Sequence, residues 1–406
     1  MLSGGAEGSI RIWDLESCRN PHRPFTFRPL ASIARAREGR GRLGHTSGVS
    51  HLDFHPRDPE CFISSSFDHT LKIWSTVTAS VNAHFELSAR IYSHATSPVA
   101  TSVVVACATQ HSSVRLVDLR SRSTAQSLPA SGGAVLAVSW SSRHERVLAS
   151  GHVDGKIRIW DTRRTGGPIA QLDMEDSLGI IHRFDHAMSS GIGWNRTPPS
   201  RTAARAHSEA VNGLSWTDDG AYIISAGLDR RIRVWNAATG ANTLAGFGST
   251  VQNRQQTPVR MLVSPSSLSH ARGNLLFWPN ELEILVFDLH EGHTVARMRV
   301  PGSGFGLESS GAPQGRITAM AWRGAGGRRR AAGRDMGGTN APGGIYTAHA
   351  DGHIRAWMPQ LPDDEEDSGT SGGEGEDEHA KKRKRNVLDS AFRSLAGRQI
   401  RFTDPN

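Results

Sequence analysis

The sequence predicts an all-β protein in which seven small sheets are arranged as the blades of a closed ring. Two observations carry this prediction. A strand-like segment recurs seven times along the chain, and short alternating strands precede several of the copies. The composition agrees with it, because 37% hydrophobic residues over 406 positions supply a sizeable core, while 43 Gly and 19 Pro indicate many turns and loops.

The recurring segment is aliphatic-x-aliphatic followed by an aromatic residue, with an acidic or turn residue a few positions earlier. The aromatic positions or their equivalents in the seven copies are Trp13, Trp74, Val117, Trp160, Trp235, Phe287 and Trp357. Alternation with a period of two suits a pleated strand. The shortest intervals fall at the period of about 40–45 residues that is typical of WD40 repeats. The longer intervals are expected to be loop insertions. The sequence therefore predicts a seven-bladed WD40 β-propeller with four strands in each blade.

Repeats two and five contain four polar or aromatic residues that WD40 blades join by hydrogen bonds. These sets are His45, Ser64, Asp68 and Trp74, and His207, Ser225, Asp229 and Trp235. A buried polar network of this kind stabilises a blade when every member has a partner. Repeats three and six lack the Trp and are expected to be degenerate.

The two ends of the repeat region are predicted to be incomplete. The chain begins inside the second strand of a blade, and no strand is expected after Trp357 to finish the seventh one. We hypothesise that the natural start lies upstream of Met1, in a segment that supplies the missing strands and closes the ring. The alternative is an open ring with unpaired backbone at its edge.

Residues 1–360 are predicted to form the propeller, with loop insertions at 19–44, 164–206 and 323–344. Residues 361–386 are expected to be a disordered linker, first acidic and then basic, and residues 387–406 a short helical or extended tail. The basic run is interpreted as a nuclear localisation signal, the alternative being a solvated charge run. It consists of Lys381, Lys382, Arg383, Lys384 and Arg385.

No catalytic, cofactor or metal site is expected. The three cysteines lie far apart, and His182 and His186, although spaced by four, lack the HExxH pattern and a third ligand. No apolar run is long enough to span a membrane and no signal peptide is present, so we expect a soluble intracellular protein. The net charge of +8 and the Arg-rich insertions are compatible with contacts to phosphate groups, but direct nucleic-acid binding is not expected.

The end of the fourth repeat has a pattern that indicates a function as well as a strand. Ile157–Arg163 has the pattern aliphatic-x-aliphatic-Trp-Asp-x-Arg, which matches a box shared by many WD40 substrate receptors of cullin-RING ubiquitin ligases; Leu116–Arg120 is a partial second copy. Longer segments, in order along most of residues 1–360, resemble the Cockayne syndrome group A family of such receptors. They include Phe62–Ser75, Tyr92–Val99, Val211–Gly220 and Arg233–Leu244.

This resemblance implies a non-catalytic receptor that acts in the nucleus in transcription-coupled nucleotide excision repair. Asp161 and Arg163 would contact the damage-binding adaptor of the ligase, and through it the cullin. Stalled RNA polymerase II and repair factors would be the further partners. The N-terminal helical segment that helps this family to grip the adaptor has no counterpart here. The alternative is a generic nuclear WD40 scaffold in chromatin or RNA processing.

Overall fold

A computed structural model places eleven segments of the chain. They are residues 1–15, 27–36, 44–99, 104–121, 123–164, 167–177, 204–264, 274–299, 315–322, 344–357 and 400–401. Within these segments the regular elements are 26 β-strands, which form seven antiparallel sheets. No helix in these segments is long and apolar enough to cross a bilayer. The predicted all-β class with seven propeller blades is confirmed.

The first three sheets hold strands β1 to β11. The first contains β1 (Leu2–Gly4), β2 (Ile10–Trp13) and β3 (Pro29–Ile33). The second contains β4 (Val49–Phe54), β5 (Cys61–Ser66), β6 (Thr70–Ser75) and β7 (Val81–Glu86). The third contains β8 (Ile91–Thr96), β9 (Val104–Thr109), β10 (Val114–Asp118) and β11 (Ser123–Leu128).

The remaining four sheets hold β12 to β26. The fourth contains β12 (Val135–Trp140), β13 (Val147–His152), β14 (Ile157–Asp161) and β15 (Ala170–Gln171). The fifth contains β16 (Val211–Trp216), β17 (Tyr222–Gly227) and β18 (Ile232–Asn236). The sixth contains β19 (Leu262–Val263), β20 (Leu275–Pro279), β21 (Glu283–Asp288) and β22 (Thr294–Arg299). The seventh contains β23 (Ile317–Trp322), β24 (Ile345–His349), β25 (Ile354–Trp357) and β26 (Ile400–Arg401).

The described sheets belong to two compact units. The first unit, residues 1–13, 29–261 and 290–293, holds sheets one to five. Its core consists of apolar side chains from successive sheets, and one cluster packs Ile157 and Ile159 of β14 with Val211 and Trp216 of β16. The second unit holds sheets six and seven. Its core cluster contains Phe277 together with aliphatic, methionine and tryptophan side chains. Burial of these strand faces supplies the main favourable term for the fold.

Three outer strands correct the predicted boundaries. β3 lies inside residues 19–44 and pairs with β2, and β15 lies inside residues 164–206 and pairs with β14. Both segments were expected to be loops. β26 pairs with β25, so the seventh sheet has a fourth strand, drawn from the 387–406 tail and not from a segment upstream. The physical reason is that the outer edge of an antiparallel pair offers backbone groups that almost any extended segment satisfies.

The first blade is predicted to be incomplete, and within the described residues the first sheet has three strands, β1 to β3. The fifth sheet also has three strands, although Trp235 forms an isolated antiparallel bridge with Asn242 at the position of a fourth. Residues 323–343, 361–386 and 387–399 lie outside the described part of the chain.

Candidate protein-interaction surface

The four-residue network of the second sheet joins the segment before β4, strand β5, the turn between β5 and β6, and strand β6. His45 lies 2.9 Å from Asp68 through Nδ1 and 2.6 Å from Ser64 through Nε2, and the Trp74 indole N–H donates to Ser64 Oγ at 2.7 Å. His45, Ser64 and Trp74 are fully buried. Because each polar atom has a partner, the network is compatible with burial.

The fifth sheet repeats this arrangement. His207 lies 2.9 Å from Asp229 and 2.8 Å from Ser225, and the Trp235 indole N–H donates to Ser225 Oγ at 2.9 Å. An additional cation, Arg233, donates to Asp229 at 3.0 Å. The structure therefore brings together both sets of four residues that the sequence analysis selected.

The Asp of each network also holds the turn between two strands. Asp68 accepts the Thr70 N–H and Asp229 accepts the Arg231 N–H, at 3.0 and 3.1 Å. Burial by itself raises the pKa of Asp68, but the hydrogen bond and charge of His45 outweigh it and hold that pKa well below its usual range.

Two further sheets build a three-residue version of this network, without an Asp, from a histidine on the same strand as the Ser or Thr. Ser150 Oγ lies 2.8 Å from His152 Nε2 and accepts the Trp160 indole N–H at 2.7 Å. In the seventh sheet Thr347 Oγ1 lies 2.8 Å from His349 and accepts the Trp357 indole N–H at 3.0 Å. Neither histidine was predicted, because each lies on a strand of the sheet and not in the segment before the sheet, where His45 and His207 lie. The signal was the local pattern Ser/Thr-x-His-x-Asp-Gly, in which alternation places both side chains on one strand face.

The proposed interface pair, Asp161 and Arg163, follows the end of β14. Asp161 is nearly buried, with 7% of its side chain exposed, whereas 44% of the Arg163 side chain is exposed. Arg163 donates from Nε and Nη2 to the two carboxylate oxygens, and its backbone N–H donates to Oδ1 at 3.0 Å. Burial raises the pKa of Asp161, but these hydrogen bonds from Arg163 lower it below its usual range.

The turn that contains this pair recurs in neighbouring sheets, but the guanidinium contact distinguishes the fourth one. In the third sheet Asp118 accepts the Arg120 N–H at 2.9 Å, and in the fifth Asn236 accepts the Ala238 N–H at 2.9 Å. The backbone role of Asp161 is therefore that of an ordinary turn residue. The two-pronged contact fixes the plane of the Arg163 guanidinium at the surface.

Further cations lie beside this pair. Thr162 N–H donates to the Arg146 carbonyl at 2.9 Å, which joins the 162–164 turn to the loop before β13. Arg143, Arg146 and Arg164 are exposed on these two segments, and Glu145 lies 3.0 Å from Arg146. We call Arg143, Arg146, Arg163 and Arg164 the basic surface of the fourth sheet. A surface of this sign favours an acidic partner.

Other predicted features lie outside the described residues. These are the basic run Lys381–Arg385, the pair His182 and His186, and residues 323–343 of the predicted insertion at 323–344.

Comparison with known proteins places these networks in a family. A family profile described as "WD domain, G-beta repeat" matches residues 40–75, 122–161 and 199–236, which include the ends of β6, β14 and β18. The chain is a WD40-repeat protein. Its seven sheets and indole-centred networks are the structural counterpart of this match.

Three relatives illustrate the range of similar proteins. WD repeat-containing protein ATCSA-1 of Arabidopsis thaliana is 28% identical over 74% of this chain and 75% of its own length. Ribosome biogenesis protein YTM1 of Phaeosphaeria nodorum is 28% identical over 59% of this WD40 chain and 52% of its own length. Radiation-sensitive protein 28 of Saccharomyces cerevisiae is 23% identical over 48% of this chain and 39% of its own length. The chain thus spans about half or less of the last two relatives.

Proposed function

We propose that this WD40 protein is a non-catalytic substrate receptor of a cullin-RING ubiquitin ligase that acts in transcription-coupled nucleotide excision repair. Its partners would be the damage-binding adaptor and the cullin on one side, and stalled RNA polymerase II with repair factors on the other. Its contribution to ubiquitin transfer would be proximity and orientation, since the chemistry would take place on other subunits.

The observation that carries this proposal is the Asp161–Arg163 pair. A guanidinium that is already held in plane by a carboxylate loses little rotational freedom when a partner binds. Its exposure of 44% leaves it accessible, and the exposed Arg146 and Arg164 lie on the two segments beside it. This arrangement suits a polar contact with an acidic face of an adaptor protein.

The relatives support the repair setting. The name ATCSA-1 contains the abbreviation of Cockayne syndrome group A, and this relative matches the chain over three quarters of both lengths. The name of the yeast relative refers to radiation sensitivity. A nuclear location, with Lys381–Arg385 as the import signal, completes the proposal.

The second candidate is a generic nuclear WD40 scaffold in chromatin or RNA processing. The similarity to ribosome biogenesis proteins favours it, because these relatives match over 58–59% of the chain. This candidate predicts the same fold and location, but no contribution of Arg163 to adaptor binding.

Affinity capture from nuclear extract, with quantification of the adaptor and the cullin, distinguishes the two. We would compare the wild-type chain with Arg163→Ala and with a matched control, Arg230→Ala. Arg230 is exposed at the turn before β18, at the strand end opposite to the position that corresponds to Arg163. The receptor proposal expects adaptor capture by the wild type and the control, and a loss in Arg163→Ala. Equal capture by all three proteins, or capture of ribosome assembly factors without the adaptor, would contradict it.

A further inference from the structure

A polar cluster that none of the sequence motifs identified lies inside the first compact unit. His51 and Asp53 of β4, in the second sheet, meet His94 of β8, in the third sheet. One ligand atom from each of the three side chains lies within 4.8 Å of the other two. Two imidazoles and one carboxylate are a common ligand set for divalent transition metals.

His94 provides the decisive detail. The side chain is fully buried, its Nδ1 lies 2.9 Å from Ser65 Oγ, and its Nε2 has no hydrogen-bond partner among the described residues. Ser65 Oγ lies 3.0 Å from Ser50 Oγ. When Nδ1 carries the proton, His94 donates to Ser65 Oγ, and the Ser65 hydroxyl donates in turn to Ser50 Oγ. This tautomer leaves the Nε2 lone pair buried without a hydrogen-bond partner among the described residues, which is costly unless a ligand occupies the site.

Metal-binding histidines also have a hydrogen-bond acceptor beside the second ring nitrogen. Such residues usually donate their other N–H to a neighbouring oxygen, which fixes the ring and the tautomer. Ser65 fills that role for His94. The carboxylate of Asp53 is held in the same manner, because Arg260 donates to Oδ1 from Nη2 and to the Leu52 carbonyl from Nη1. Oδ2 remains directed towards His51, whose Nε2 lies 3.6 Å away.

His51 needs one adjustment to act as a ligand. Its Nδ1 accepts the backbone N–H of His94 at 3.2 Å, so the proton of the neutral ring sits on Nε2. Metal binding through Nε2 requires this proton to leave and Nδ1 to become protonated, and the long backbone contact is then lost.

An ion has a way into the cluster. The side chains of His51 and Asp53 are 19% and 31% exposed to solvent, whereas His94 is fully buried. Arg260 opposes a cation by its charge, so binding should be weaker than in closed structural zinc sites.

We propose that His51, Asp53 and His94 bind one divalent metal ion of the zinc class, which links the second and third sheets. The ligands would be Nε2 of both histidines and Oδ2 of Asp53, with water completing the coordination. This site is independent of the adaptor proposal, because Asp161 and Arg163 contribute nothing to it.

The test is a titration of the full-length, chelator-treated chain, purified without a histidine tag, with Co²⁺ as a spectroscopic probe and Zn²⁺ as competitor. The variants are His94→Gln and Asp53→Asn, with His84→Gln, an exposed histidine of β7, as the matched control. We expect one equivalent of Co²⁺ with visible d–d absorption, removed by Zn²⁺. Loss of a direct ligand should weaken binding by about 100-fold or more, since second-shell changes alone cost 10–100-fold.

Absence of a saturable Co²⁺ spectrum in the wild type would overturn the proposal and would point to a bound water at His94. Equal binding by the wild type and Asp53→Asn would overturn it as well. Circular dichroism of each variant identifies misfolding, and if His94→Gln misfolds, Asp53→Asn decides.

Discussion

Ser225 is the shared hydrogen-bond partner of His207 and Trp235 in the fifth-sheet network, and its removal should be among the costlier single changes in the chain. Ser225 Oγ is fully buried, accepts the Trp235 indole N–H at 2.9 Å and lies 2.8 Å from His207 Nε2. Ser225→Ala leaves two buried polar groups without a partner. Each such group costs about 1–3 kcal/mol, so the expected loss is about 2–6 kcal/mol. This is a large fraction of the ~5–15 kcal/mol by which domains are stable.

A matched substitution exists in the first sheet. Ser3 Oγ accepts the Trp13 indole N–H at 2.8 Å, but Ser3 is only partly buried. We therefore expect Ser3→Ala to cost about 1 kcal/mol. The double variant Ser225→Ala/Trp235→Phe removes the donor as well, so its loss should be smaller than the sum of the two single losses.

Urea denaturation followed by tryptophan fluorescence and by circular dichroism measures these losses. A two-state free energy of unfolding is defined only if both probes give the same transition. If the transitions differ, hydrogen exchange of the β17 and β18 amides measures the local loss of stability instead. The reasoning would be refuted if Ser225→Ala and Ser3→Ala differed by less than about 0.5 kcal/mol, the size of an ordinary surface effect.

Three further predictions address other parts of the chain. Asp68→Asn should lower the free energy of unfolding at pH 7. The difference from the wild type should narrow below about pH 4, because a carboxyl with a depressed pKa stabilises the fold only while it is ionised. Urea titrations at several pH values measure this difference, and a difference that does not change with pH would contradict the prediction. Removal of residues 387–406 eliminates β26, so amide exchange in Ile354–Trp357 should accelerate while Ile232–Asn236 stays protected, as peptide-level hydrogen–deuterium exchange would show. Replacement of Lys381–Arg385 by glutamine should move a fluorescent fusion from the nucleus to the cytoplasm, whereas unchanged nuclear fluorescence would assign import to another signal.

The inner strands were predictable because their sequences carry two signals at once. Segments such as Ile157–Asp161 are buried along their whole length, and an indole at a fixed place in the strand meets the Ser of the preceding strand. Aliphatic residues at alternate positions are the imprint of that burial. The same reasoning selected the networks of the second and fifth sheets from residue type and spacing.

The outer strands were not predictable for the opposite reason. β3 alternates between half-buried and exposed residues up to Ile33, its one buried residue, and β15 has only two residues, both half-buried. Such strands leave little hydrophobic pattern, because their backbone hydrogen bonds and not their side chains attach them to the sheet. β26 is separated from its partner by the acidic and basic linker, so its pairing has no local signal.

The sequence by itself determined the number of sheets, the family of the repeats, the two complete networks and the Asp161–Arg163 pair, since each follows from residues close together along the chain. Only the tertiary structure decided that the Arg163 guanidinium is held in plane at the surface, and that the His51–Asp53–His94 cluster exists at all. Arg260 lies 207 positions from the Asp53 that it contacts. No local pattern encodes such a meeting, because it depends on how successive sheets and a distant segment pack together.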